Sequence, residues 1–127
     1  MSWILARVSL RRVLLASFAL AAVRWVLLGN FAEHLGVLLL AQVLHAATFG
    51  SFHAAAIAFV QRCFGARQQG QGQALYAALA GTGGALGALC SGYSWNLLGP
   101  ATTFSIASVA ALAAAVIIAL RMKEDRA

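Results

Sequence analysis

Four long apolar runs divide the chain, and short polar or glycine-rich segments separate them. A helix that crosses the apolar core of a bilayer, about 30 Å thick, needs roughly 20 residues, because no water is present there to satisfy its backbone. The pattern predicts spans at residues 12–29, 35–59, 73–95 and 102–120, with a polar loop at residues 60–72. We therefore expect an all-α, polytopic membrane protein with four transmembrane helices.

The basic residues fall on one side of this predicted arrangement. Three precede the first span, two lie in the loop at residues 60–72 and three follow the last span, whereas residues 30–34 and 96–100 contain no Lys or Arg. Basic loops mark the cytoplasmic side of a membrane protein. Both termini are therefore predicted to be cytoplasmic, in the inner, or plasma, membrane of the cell.

Composition narrows the class of protein further. The net charge of +6 would favour nucleic acid if it formed one patch, but 62% of the residues are hydrophobic and the basic residues are divided among three segments. Cys63 lies at a predicted helix end and Cys90 lies within a span, which is not the pattern of a disulfide framework or a metal site. No nucleophile–base pair, phosphate-binding glycine loop or dinucleotide fingerprint occurs. We expect a protein that contacts lipid and no nucleic acid, has no cofactor or metal, and is not an enzyme.

Arg24 is the one basic residue that interrupts an apolar run. Counted from Arg12, it lies about 18 Å along a helix that crosses about 30 Å, which is near the middle of the membrane. A cation at that depth is costly unless it faces a cavity or a partner. Arg24 is therefore a candidate for anion binding or gating. The alternative is an arginine that reaches the outer headgroups or is neutralised by another helix.

The second span carries a stripe of hydrogen-bonding side chains. Gln42, His45, Phe49 and His53 fall within an arc of about 80° when successive residues turn by about 100°. His45 lies about 15 Å from the outer end of its helix, close in depth to Arg24. The two side chains are expected to line one cavity.

His53 lies closer to the cytoplasm, at the level of Gln73 and Tyr76 near the start of the third span. These residues are expected at an inner gate. Histidine changes its charge near neutral pH, so His53 or His45 is a candidate for carrying a coupled proton. A membrane histidine bonded to a neighbouring carbonyl is the alternative. No Asp or Glu occurs inside any predicted span.

Small residues recur along the third span. Two rows are each spaced by four residues: Gly83, Gly87 and Ser91, then Gly84, Ala88 and Gly92. Such rows allow another helix to approach closely, which is how membrane helices gain dispersion contacts. We interpret them as a helix-packing seam; a hinge or a face that lines a substrate path is the alternative.

Three segments carry a resemblance to a known family: RRVLLASFALAAVRW, LLLAQVLHAATFGSFHAAAIAFV and GQALYAALAGTGGALGALCSGYSWNLLG. They resemble the last four helices of major facilitator superfamily transporters, in the branch of phenylpropionate permeases and nucleoside–proton symporters. The residues that carry the resemblance are Arg24, Trp25, Gln42, His45, Thr48, Phe49, His53, Gln73, Ala74, Leu75 and Tyr76. It implies helices nine to twelve of a twelve-helix protein, within the C-terminal half of the fold.

The resemblance also implies a function. The intact protein would be a secondary active transporter that moves a small organic anion, such as an aromatic carboxylate, together with protons. Arg24 would attract the carboxylate, and Gln42 and His45 would hydrogen-bond the substrate or relay a proton. His53 and Tyr76 would lie near the inner gate.

The segment before the first span is similar to the superfamily's basic gating motif. Arg7, Arg11 and Arg12 are present, but the acidic residue and the glycine of the full motif are not. Such transporters bind substrate between two six-helix halves, so this chain would be a fragment that lacks the N-terminal helices and does not transport on its own. The alternative is a stand-alone four-span membrane protein with a structural or assembly role. A dimeric multidrug exporter is disfavoured because it would need an intramembrane carboxylate.

Overall fold

The computed structural model describes residues 9–122, so the predicted gating residue Arg7 lies outside the described residues. Within these residues there are four α-helices: α1 (Leu10–Phe31), α2 (Leu35–Cys63), α3 (Gln69–Leu98) and α4 (Pro100–Arg121). A 3-10 turn at Ala66–Gln68 joins α2 to α3. All four helices are long and apolar enough to cross a membrane. The predicted all-α architecture with four spans is confirmed.

Local chemistry explains where two of the helices begin. The Ser9 side chain accepts a hydrogen bond from the backbone N–H of Arg12 at 3.4 Å and so caps the start of α1. Arg11 and Arg12, predicted to precede the first span, therefore lie in the first turn of that helix. Gly99 separates α3 from α4 with a φ of 82°, a conformation that glycine adopts without strain. Pro100 then occupies the first turn of α4, where a missing N–H removes no helical bond.

The connection between α2 and α3 is shorter than the polar loop predicted at residues 60–72. Only residues 64–68 lie outside the α-helices, and three of those form the 3-10 turn. The side-chain amide of Gln69 donates to the carbonyls of Gln61 and Phe64, at 3.1 and 2.6 Å. These bonds satisfy carbonyls at the end of α2, because helix ends leave such groups without backbone partners.

Gly72 allows the start of α3 to pack closely against the end of α2. A Cβ atom on this residue would lie 2.7 Å from Cδ2 of Phe64 and 2.9 Å from Cγ1 of Val60. The polar, glycine-rich composition of this segment therefore permits a close helix–helix contact instead of forming an extended flexible loop.

Helix α1 lies at the centre of the packing and contacts both α2 and α4. Towards the ends of the helices, a Cβ on Gly29 would lie 3.0 Å from Cβ of Phe104, which brings α1 close to α4. Between these helices, the buried hydroxyl of Ser108 donates to the carbonyl of Ala22 at 3.1 Å. The hydroxyls of Ser17 and Ser51 lie 3.0 Å apart where α1 meets α2.

Helix α3 contacts its neighbours at its two ends and stands away from them in between. At its C-terminal end the hydroxyls of Ser94 and Thr103 lie 3.0 Å apart, which joins α3 to α4. Within residues 9–122, no atom outside the local backbone lies within 4 Å of a Cβ built on four glycines of the predicted seam. The seam residues Gly83, Gly84, Gly87, Ser91 and Gly92 are all exposed. They form no packing seam with α1, α2 or α4, because α4 turns at Gly99 to pack on α1.

The alternation of spans makes a prediction about membrane sidedness. Ala66 and Ala101 are both exposed; Ala66 precedes α3 and Ala101 follows it, in the first turn of α4. With Cys63 and Cys90 replaced by serine, Ala66→Cys should react with a membrane-impermeant maleimide only from the cytoplasm, and Ala101→Cys only from outside. Labelling of intact cells and inverted vesicles measures both. Reaction of the two cysteines from the same compartment would contradict the predicted alternation of the spans across the membrane.

Candidate anion site between the first two helices

A pocket of about 160 Å³ lies between α1 and α2. Residues three and four apart on each helix supply its wall, which is the spacing of one helical face. Its lining residues are Ser17, Phe18, Ala21, Arg24, His45, Thr48, Phe49 and Phe52. The expectation that Arg24 and His45 share a cavity agrees with this geometry, although His45 is otherwise largely exposed.

Arg24 is a buried cation that has no anionic partner in the part of the chain that the structure describes. The residue is only 9% exposed, and its buried Nε has no hydrogen-bond partner among residues 9–122. Its guanidinium carbon lies 4.0 Å from the centre of the Trp25 ring. A cation over an aromatic face is attracted to it, but the ring offers no acceptor for the N–H groups. Arg24 therefore retains hydrogen-bonding capacity beside the pocket.

Aromatic rings form much of the remaining wall. The rings of Phe18 and Phe52 meet edge to face with centroids 5.4 Å apart, one from each helix. Phe49 contacts His45 on one side, with centroids 5.5 Å apart. Apolar walls lower the local dielectric, so an anion near Arg24 would be attracted more strongly than in water. The arrangement can accept a small anion whose uncharged part is apolar.

Two hydroxyl-bearing residues in the wall, Ser17 and Thr48, were not predicted as site residues from their chemistry. Ser17 donates to the carbonyl of Val13 at 2.8 Å, and Thr48 donates to that of Leu44 at 2.8 Å. Both hydroxyls keep lone pairs but already donate to their own helices. The sequence signal for Ser17 was its spacing of seven residues from Arg24, which places both on one face of the helix.

Gln42 does not line the pocket. It is exposed, one turn from His45 towards the start of α2. Its predicted contact with substrate therefore receives no support from the geometry of the described residues.

His53 and Tyr76 are brought together, as expected from their depth. Nδ1 of His53 and the hydroxyl of Tyr76 lie 2.5 Å apart in a hydrogen bond that joins α2 to α3. The His53 ring also meets Phe49 edge to face, with centroids 4.2 Å apart. Phe49 thus contacts both histidines and separates the pocket from the α2–α3 contact. Gln73, predicted at the same level, is exposed.

Removing the Tyr76 hydroxyl should loosen the contact between α2 and α3. A hydrogen bond of this kind contributes about 0.5–1.5 kcal/mol, so Tyr76→Phe should lower the free energy of unfolding by that amount. Titration with a denaturing detergent, followed by circular dichroism, measures it. Tyr93→Phe is the matched control, because Tyr93 is 75% exposed and should tolerate the change. Equal effects of the two substitutions would contradict a stabilising role for the His53–Tyr76 bond.

A comparison with protein families assigns the chain to one of them. The family model described as the MFS_1 like family matches residues 1–106, a range that contains α1, α2 and α3 in full. Neither a curated protein nor a solved structure gives a significant match. The predicted resemblance is confirmed at the level of a major-facilitator-like family, whereas the permease branch stays a prediction. The chain belongs to the MFS_1 like family.

Proposed function

We propose that this chain is part of a secondary active transporter in which Arg24 binds a small organic anion that moves together with protons. The observation that carries the proposal is a buried guanidinium beside a pocket of aromatic rings, with no anionic partner among residues 9–122. Membership of a major-facilitator-like family supports transport over enzymatic catalysis. The expected location is the inner membrane.

The substrate that fits these walls best is a small aromatic carboxylate. A guanidinium can form two parallel hydrogen bonds with a carboxylate, which fix both the position and the orientation of the carboxylate. The rings of Phe18, Phe49 and Phe52 can meet the substrate's ring edge to face. A volume of about 160 Å³ is below the range of about 300–1,000 Å³ typical of drug-sized ligands, which favours a small substrate.

Histidines are the proposed proton carriers. His45 lines the pocket, and His53 bonds to Tyr76 one layer further along α2. No carboxylate occurs between Arg12 and Arg121 except Glu33, which lies in the turn between α1 and α2. Histidine is the side chain that changes charge near neutral pH without a large perturbation. Protonation beside the pocket would favour the entry of an anion.

Further helices are proposed to complete the transport path. Alternating access requires two groups of helices that rock around a central site. The middle of α3 is uncovered among the described residues, and its small residues would allow another helix to pack there. On this proposal the chain does not transport alone. The same uncovered face favours the second candidate function, a small four-span protein with a role in assembly.

Binding of a carboxylate probe tests the site directly. The chain in lipid nanodiscs should bind radiolabelled benzoate, and Arg24→Gln should weaken that binding by roughly 10- to 100-fold, because it removes a charge-assisted hydrogen bond of about 1.5–3 kcal/mol. Equilibrium dialysis measures the affinity. Arg67→Gln removes one charge from the exposed 3-10 turn and should change the affinity less than twofold. Benzamide, which is uncharged, should not distinguish Arg24→Gln from the unsubstituted chain.

Failure of the unsubstituted chain to bind benzoate, or equal binding by Arg24→Gln, would contradict the anion site. The assembly role would then be the better account of the fold.

The stability of an Arg24 variant separates a binding role from a structural one. A buried cation without an anionic partner disfavours the fold, so Arg24→Met, which keeps the length of the chain, should raise the free energy of unfolding by about 1–3 kcal/mol. Detergent titration followed by circular dichroism measures this change. Arg67→Met should alter the value by less than about 0.5 kcal/mol. A loss of stability in Arg24→Met would mean that the guanidinium holds the helices together.

A further inference from the structure

We propose that a second groove, on the other side of the α1–α2 contact, binds an anionic phospholipid, with its phosphate at Arg12 and an acyl chain along the groove. This inference is independent of the proposed transport function. The groove has a volume of about 440 Å³ and is lined by Arg12, Val13, Ala16, Ser17, Leu20, Ala47, Thr48 and Ser51.

The lipid groove and the anion pocket are separate cavities. Among the described residues they share only Ser17 and Thr48. At about 100° per residue, Ala16 and Leu20 lie on one side of Ser17 around α1, whereas Phe18 and Ala21 lie on the other. The contact between the two helices therefore stands between the cavities, and Arg24 does not reach the groove.

The walls of the groove suit an acyl chain better than a polar solute. Apart from Arg12, they consist of apolar side chains and three hydroxyls. Ser17 donates to the carbonyl of Val13, and Ser51 donates to that of Ala47, at 2.8 and 2.7 Å. The Thr48 hydroxyl donates to its own helix in the same way. Since these hydroxyls already donate to their own helices, the groove offers methylene groups a surface without an unsatisfied donor.

The length of the groove matches one leaflet. Arg12 and Leu20 are eight residues apart, which is about 12 Å along the helix. Half of the apolar core of a bilayer is about 15 Å. Arg12 is exposed in the first turn of α1, at the level where the headgroups of that leaflet begin. A lipid that places its phosphate at Arg12 would lay its acyl chain along the groove.

Charge selects the lipid class. Nη2 of Arg11 donates to the carbonyl of Ala119 at 2.9 Å, which holds Arg11 towards the end of α4, where Arg121 is exposed. Arg12 follows Arg11 in the first turn of α1, so three arginines lie at this end of α1 and α4. Each arginine near a membrane surface adds about 1 kcal/mol to the attraction of anionic lipid. A second copy of the chain in a symmetric dimer would bring the two Arg12 side chains towards each other, so like charges oppose that occupant.

Native mass spectrometry of the full chain, released from detergent micelles, tests the proposal. The probes are dioleoyl phosphatidylglycerol and dioleoyl phosphatidylcholine. Phosphatidylglycerol should bind more tightly, and Arg12→Ala should weaken it about fivefold, the change expected from one surface arginine. Arg12→Lys should retain the preference because it keeps the charge. Arg67→Ala is the matched control, since it removes a charge from an exposed turn outside the groove.

A substitution that fills the groove tests the binding of the acyl chain separately from that of the headgroup. Ala16 is exposed in the groove, and Ala16→Phe should reduce the binding of both lipids by a similar factor. Circular dichroism of every variant shows whether the helices are retained, and Arg12→Gln replaces Arg12→Ala if the latter loses them.

Three results would each overturn the assignment. Equal binding of the two lipids would remove the charge selection, and equal losses in Arg12→Ala and Arg67→Ala would reduce it to general surface charge. A dimer that Ala16→Phe abolishes would show that the groove belongs to a second copy of the chain.

Discussion

The absence of water in the bilayer core is the constraint from which the structure follows. Backbone groups in that region must bond to one another, and a helix meets this need within a single segment. Without water there is also no hydrophobic force that would press one membrane helix against another. Helices α1, α2 and α4 therefore meet through small residues and hydroxyls as well as through apolar side chains. Leu10 and Leu14 pack with Phe52 and Ile118 at one end of α1. Towards its other end, the contact of Gly29 with Phe104 and the bond from Ser108 to Ala22 hold α1 against α4.

The same constraint makes Arg24 conspicuous. A bilayer supplies no counter-ion, and the described part of the chain supplies none within the helices, so the Trp25 ring is the main group that offsets the buried charge. A ring face recovers only part of the hydration that a guanidinium loses. This uncompensated cost is the physical reason for proposing that Arg24 binds a ligand.

Depth and face could be predicted from the sequence because both follow from helical geometry. Counting residues along two antiparallel helices placed Arg24 and His45 at one cavity, and both line the pocket. The same reasoning placed His53 at the level of Tyr76. The neighbours of a face could not be predicted in this way. The glycine rows of α3 indicated close packing, but nothing in their spacing names the partner, and α4 packs on α1 instead. The polar segment at residues 60–72 was predicted to be a loop, but most of it is helical. Its composition does not separate the two cases, because glycine and glutamine occur both in loops and at close helix contacts such as Gly72 with Phe64.

Phe49 gives the proposed coupling of anion and proton a physical route. Its ring contacts His45 at the pocket and His53 at the α2–α3 contact, with centroids 5.5 and 4.2 Å away. A neutral His53 that carries its proton on Nε2 accepts the Tyr76 hydrogen at Nδ1, whereas a doubly protonated ring must donate there. Proton uptake by that tautomer would reverse the direction of the bond that joins α2 to α3. Coupling between two sites is reciprocal. If protonation at either histidine favours an anion at Arg24, then the anion favours that protonation by the same factor, which is the thermodynamic requirement for moving both together.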